Sequence, residues 1–192
     1  MNAMPAAAPP KTVSVEICIL AGGLSSRMGR DKARLRLDGQ SLLSRIRAIA
    51  GQTTWPVRVI RRDLVPRCGP LGGVCTALRT SGADAVLFLA CDMPFVTVEL
   101  IHRLVKANQA GSMAVFAAGT NGPGFPFLLG RAILPTVEEQ IAAGRFSVQS
   151  LAVKCRAKKV RVGEHSLFNV NTQADLNRAC RIVAQRHHEN AC

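Results

Sequence analysis

Leu20-Ala21-Gly22-Gly23 is followed by Arg27 and, five residues further on, by Lys32. Glycines let backbone N–H groups approach an anion, and cations offset its charge, so this spacing suits a polyphosphate. The loop follows an apolar run, Val13 to Leu20, which places it at the carboxyl end of a buried strand. It is not a P-loop: Gly29 is followed by Arg30, and Lys32 comes later. It does not fit G-x-G-x-x-G either.

A second group of residues follows the same logic. Asp92 ends the most apolar strand of the chain, Ala85 to Cys91. A carboxylate there suits Mg²⁺, which takes oxygen ligands and bridges phosphates, against the plainer reading of a turn residue. Gly69-Pro70-Leu71-Gly72-Gly73 is either a tight turn or a loop whose backbone reads a base edge. Asp63, six residues upstream, can accept from the N1–H and N2 amino group of guanine. Asn169 and Asn171 alternate along a strand end and need not face the same way. Asn171 reads either as a site residue or as a helix cap shared with Thr172. His102 and His165 read as surface histidines.

The elements that position these residues alternate. Strands are expected at 13–20, 57–60, 85–91, 113–118, 125–129, 158–162 and 167–170. Pro126 pushes its strand toward an edge or a bulge. Helices are expected at 42–50 with Ser41 as N-cap, from the Gly69 loop to Thr80, and from Thr97 to 107. Three more are expected at 131–143, at 147–153 and from Thr172 to 185. Pro135 restricts the first of these at its start. The alternation implies an α/β fold: an open, mostly parallel sheet with helices on both faces, and ligands beyond the carboxyl ends of the strands.

Composition bounds the rest. At 192 residues and 48% hydrophobic, one domain over 13–186 is expected, flanked by tails at 1–12 and 187–192. The net charge of +13 suits nucleic acid or an anionic small substrate. The charges are dispersed, Tyr is absent and Trp55 stands alone, so a base-stacking surface is missing and nucleic acid is not expected as a partner. No apolar run is long enough to span a bilayer, so no membrane association is expected. Residues 1–12 lack a basic segment followed by an apolar one, and a cytoplasmic location is the expectation. The seven cysteines show no CxxC spacing, and Cys18 and Cys91 read as buried thiols.

Taken in order, Leu20 to Gly23, Ser26-Arg27-Met28-Gly29 with Asp31-Lys32, Gly69 to Gly73, Cys91-Asp92-Met93-Pro94-Phe95 and Phe168-Asn169-Val170-Asn171-Thr172 resemble the MobA-like nucleotidyltransferases over about residues 15 to 185. The resemblance implies a Rossmann-like three-layer α/β/α sandwich of the nucleotide-diphospho-sugar transferase type. It also implies transfer of GMP from Mg·GTP to molybdenum-loaded molybdopterin, with release of pyrophosphate. By resemblance, Arg27, Lys32 and Asp92 are catalytic. Leu20, Ala21, Gly22, Gly23, Lys32, Asp63, Gly69, Pro70, Leu71 and Asp92 hold the nucleotide, and Asp92 holds Mg²⁺. Asn169 and Asn171 face the acceptor. The implied partners are GTP, molybdenum-loaded molybdopterin, and cofactor insertion proteins or target enzymes that receive the product. Alternatives are a relative using CTP or another phosphorylated acceptor, and a non-catalytic nucleotide-binding relative. Two departures from the family stand out. The stretch from Trp55 to Gly69 is short and leaves Arg61 or Arg62 in place of a nucleotide-side Asn. Gly124-Phe125-Pro126-Phe127 replaces a more polar segment.

Overall fold

Val15–Leu20 forms β1 because its side chains feed two apolar layers: Ile17 and Ile19 enter one core, and Cys18 the other. The computed structural model describes residues 13–22, 35–109 and 112–189. The remaining strands are β2 (Arg36–Leu37), β3 (Gln40–Ser41), β4 (Val57–Ile60), β5 (Ala85–Ala90), β6 (Ala114–Gly119), β7 (Gly122–Gly130) and β8 (Lys158–Arg161). The helices are α1 (Leu42–Ala50), α2 (Pro70–Thr80), α3 (Val98–Gln109), α4 (Leu134–Ala142), α5 (Val148–Lys154) and α6 (Gln173–Glu189).

Six strands make one sheet in the order β4-β1-β5-β7-β6-β8. All run parallel except β7, which is antiparallel to both its neighbours. Side chains alternate between faces, as a pleated strand requires. Leu87, Leu89 and Leu128 pack with Ile46 of α1 and Leu100, Ile101 and Leu104 of α3. Val86, Phe88, Phe127 and Leu129 pack with Leu71, Val74 and Leu78 of α2, Val137 of α4 and Leu151 of α5. The result is the three-layer α/β/α sandwich. Phe116 stacks on Phe127 at 4.6 Å, and Phe127 on Phe88 at 5.0 Å, a buried row across three adjacent strands. Burial of each such ring stabilises the fold by about 1.5–3 kcal/mol.

Local chemistry explains the helix starts. The Ser41 hydroxyl accepts from the Ser44 N–H at 3.0 Å, and the Thr97 hydroxyl from the Leu100 N–H at 3.2 Å. Pro135 sits in the first turn of α4, after a 3₁₀ turn at Arg131–Ile133. Cys18 and Cys91 are buried, and burial pushes the Cys18 thiol up to about 12, so it stays protonated.

Two expectations are corrected, one resolves into one of its alternatives, and one element is new. Of the edge or bulge expected at Pro126, the bulge is found: β7 lies inside the sheet, and the register skips between Phe116↔Phe127 and Ala117↔Gly124. A proline has no N–H to give the ladder, and the skip removes the need for one. Leu167–Val170 is not a strand. Glu164–Leu167 is a 3₁₀ turn, and the Val170 N–H donates to the Asp92 carbonyl at 2.8 Å instead of to a sheet neighbour. The β2–β3 hairpin was not anticipated; its turn is Asp38-Gly39, both at positive φ, as an Asp-Gly hairpin prefers. Finally, α6 continues to Glu189, past the helix end expected at 185.

Candidate active site

Leu20 pairs with Ile60 on one side and Ala90 on the other, so β4, β1 and β5 end level. The ladder continues just beyond. The Ala21 N–H donates to the Ile60 carbonyl at 2.9 Å, and the Cys91 N–H to the Leu20 carbonyl at 3.2 Å. This brings the Leu20-Ala21-Gly22 loop, the segment after Ile60 and the Asp92 turn to one edge. A Cβ on Gly22 would lie 2.7 Å from the Arg61 carbonyl oxygen, so only glycine fits there. The expected phosphate loop therefore touches the backbone of Arg61, one of the two arginines of the shortened segment. Gly23, Arg27 and Lys32 lie outside the described residues.

The glycines opening α2 serve close packing. A Cβ on Gly72 would lie 2.5 Å from the Val65 carbonyl oxygen, and one on Gly73 would lie 3.0 Å from the Leu20 side chain. The Asp63 carboxylate fills part of that space, 3.0 Å from the first of these positions and 3.2 Å from the second. Its loop is pinned: the Leu64 N–H donates to the Thr76 hydroxyl at 2.8 Å, and that hydroxyl donates to the Gly72 carbonyl at 2.8 Å. Asp63 is half-buried, and burial pushes its carboxyl up. Among the described residues its carboxylate has no hydrogen-bond or ion-pair partner. The carboxylate is only partly withdrawn from solvent, and it is open to a ligand offering paired N–H groups. Gly69 and Pro70 are exposed beside it and Leu71 is buried, so Leu71 belongs to the core rather than to an open surface.

Asp92 is half-buried, two residues beyond β5, where the Met93 N–H closes the turn onto the Ala90 carbonyl at 3.4 Å. The bond from the Val170 N–H to its carbonyl sets Asn169 and Asn171 on either side of the attachment point, both exposed. Their loop is held by a capping box at the start of α6. The Asp175 N–H donates to the Thr172 hydroxyl at 3.1 Å, and Asp175 Oδ2 accepts from the Thr172 N–H at 2.8 Å. The same oxygen accepts from the Asn171 N–H at 3.0 Å and the Thr172 hydroxyl at 2.8 Å. The Thr172 hydroxyl bond, and then those backbone N–H groups, hold the Asp175 carboxyl below its usual range. The cap is therefore Thr172.

A cavity of about 420 Å³ opens next to this loop, lined by Met93, the β6–β7 turn, Gln149, His165, Phe168, Asn169 and Arg178. That size suits a small-molecule site. The Gln149 amide donates to the Asn121 carbonyl at 3.0 Å and ties the turn to α5. Phe125 also lines the cavity, with its ring 4.7 Å from that of Phe127. His165 is exposed as expected, yet it faces this cavity; His102 is exposed against Trp55. Sequence reasoning missed Arg178 and Gln149, and gave Phe168, although part of the motif ending at Thr172, no role. The one available signal was that Arg178 stands a helical turn past Asp175, on the loop's side of α6.

Among the described residues no group of three or more His, Cys, Asp or Glu side chains could cage a metal. A carboxylate such as Asp92 suits Mg²⁺, which keeps waters and takes other ligands from substrate phosphates.

A family model described as the MobA-like NTP transferase domain matches residues 17–155. The chain is 33% identical to the molybdenum cofactor guanylyltransferase of Pseudomonas putida, over 90% of this chain and 99% of that one. It is 34% identical to the probable molybdenum cofactor guanylyltransferase of Opitutus terrae, over 75% of this chain and 81% of that one. The fold is similar to that of molybdopterin-guanine dinucleotide biosynthesis protein A from Archaeoglobus fulgidus. The TM-score is 0.71 at 21% identity, covering 88% of this chain and 99% of that one.

Proposed function

The chain belongs to the MobA-like NTP transferase family, and from that premise we propose that it is a molybdenum cofactor guanylyltransferase. It moves GMP from GTP to molybdenum-loaded molybdopterin. A phosphate oxygen of the acceptor forms a bond to the α-phosphorus of GTP, the bond from that phosphorus to the β-phosphate bridge breaks, and pyrophosphate leaves. The acceptor thereby becomes the guanine dinucleotide form.

The observation that carries this reading is the bond from Val170 to Asp92, because it joins the asparagine loop to the nucleotide edge of the sheet. Two anions must meet, so the task of the protein is positioning and charge compensation rather than nucleophilic attack. In this proposal the backbone of Leu20, Ala21 and Gly22 holds the phosphates, with Gly23, Arg27 and Lys32 extending that loop. The Asp63 carboxylate, with Gly69, Pro70 and Leu71 behind it, accepts from the guanine edge. Asn169 and Asn171 orient the acceptor. Asp92 would hold Mg²⁺, whose chemistry there would be charge neutralisation. Further parts of the proposal are a single domain over 13–186, a cytoplasmic location, and transfer of the product to insertion proteins or target enzymes. No helix among the described residues is long and apolar enough to cross a membrane.

The test is pyrophosphate release with Mg²⁺, molybdenum-loaded molybdopterin, and GTP, ATP, CTP or UTP in turn. Release confined to GTP and dependent on the pterin is expected. Release with CTP in preference, or release that ignores the pterin, contradicts the proposal.

A further inference from the structure

The Arg178 guanidinium carbon lies 5.4 Å from the centre of the Phe168 ring, inside the lining of the cavity next to Asp92. The ring is itself held, with its centre 5.9 Å from that of Phe95, which is buried. Arg58, Arg79 and Lys154 are paired with Glu16, Glu138 and Glu139. Arg178 differs: among the described residues it makes no hydrogen bond or ion pair. Its nearest acidic neighbour along α6 is Asp175, which attracts it through space without a hydrogen bond and whose Oδ2 is engaged by Asn171 and Thr172. The guanidinium is thus oriented by a π face, while its N–H edge stays open for an anion from outside.

Two chain segments connect this cavity to the reacting edge. Met93 lines it and follows Asp92. Asn169 lines it and precedes Val170, whose N–H is bonded to the Asp92 carbonyl. An anion held by Arg178 therefore lies on the acceptor side of Asp92, across from Gly22 and Asp63. We propose that Arg178 binds the phosphate of the acceptor and sets acceptor affinity, without contacting GTP. This assignment rests on the proposed function. The planar fork matches phosphate oxygens in a way a lysine does not.

Anaerobic titration of the full-length protein with molybdenum-loaded molybdopterin, read by pterin fluorescence, tests it alongside GTP titration of the same samples. Arg178→Gln is expected to weaken acceptor binding by roughly 10–100-fold. Arg178→Lys is expected to recover part of the loss, and GTP affinity is expected to be unchanged in both. Unchanged acceptor affinity in Arg178→Gln overturns this assignment alone, as does an equal loss of GTP affinity. Wild-type protein that binds no molybdopterin overturns the proposed function, and this assignment with it.

Discussion

The two halves of the sheet's carboxyl edge are built differently. The half around Leu20, Ile60 and α2 is made by backbone: Gly22 against the Arg61 carbonyl, and Gly72 against the Val65 carbonyl, leave no room for a side chain. The half around the β6–β7 turn and α6 is made by side chains, with Phe125, Gln149, Phe168, Asn169 and Arg178 around a cavity. Here Gly124 has nothing within 4 Å of where its Cβ would be. Backbone recognition suits what all nucleoside triphosphates share, a chain of phosphate oxygens. Side-chain recognition suits what differs between acceptors, and it can change without disturbing the sheet.

Four substitutions sharpen that contrast. Asp92→Ala has the largest expected effect, because Asp92 stands where the halves meet. Turnover is expected to fall about 10²–10³-fold, the scale of losing one group that stabilises developing charge. Circular dichroism should remain native, and normal turnover in a folded variant would remove Asp92 from the site.

Next comes the paired change Gly22→Ala and Gly124→Ala. The first drives a methyl into the Arg61 carbonyl, and overpacking of that kind costs about 1–3 kcal/mol. It should appear as a lower melting temperature or a higher KM for GTP. The second should stay within about 0.5 kcal/mol of wild type and leave the KM for GTP unchanged. Equal effects at the two positions would break the comparison.

A moderate effect is expected from Asp63→Asn. Burial raises the Asp63 carboxyl in the folded protein, so the native state holds this proton more tightly than the unfolded state does. Stability of the free protein therefore falls as pH rises through the window between the unfolded and folded values. The asparagine variant should lack that slope in pH-dependent denaturation and melt higher at neutral pH. It should also bind GTP about tenfold more weakly, with acceptor binding intact, since one charged acceptor is lost. A variant that keeps the slope assigns it to other groups, and one that keeps full GTP affinity excludes Asp63 as the base-reading group.

The difference between the halves also decides what the sequence reveals. The nucleotide half is legible because its devices are contiguous: an apolar run followed by Gly22, another followed by Asp92, and Gly69 to Gly73 opening a helix. The acceptor half draws on residues from Met93 to Arg178 that only the fold brings together. Leu167–Val170 shows why periodicity failed there. Its apolar residues read as a strand, but Leu167 packs on Gly119 and the Val170 N–H is taken by Asp92, which are tertiary facts without a local signal. Pro126 was a sound cue for irregularity but not for an edge, since a bulge inside the sheet meets the same need. Arg178 carries no motif; its meaning comes from the ring beneath it.

The central claim is that both halves form one site, in which the α-phosphate passes directly from nucleotide to acceptor. The most direct measurement follows label from GTP marked at its α-phosphorus, with Mg²⁺ and molybdenum-loaded molybdopterin. The account predicts that the label appears in the dinucleotide product in step with pyrophosphate release, with none retained on the protein. Label bound covalently to the protein, or pyrophosphate released without labelled dinucleotide, would contradict it.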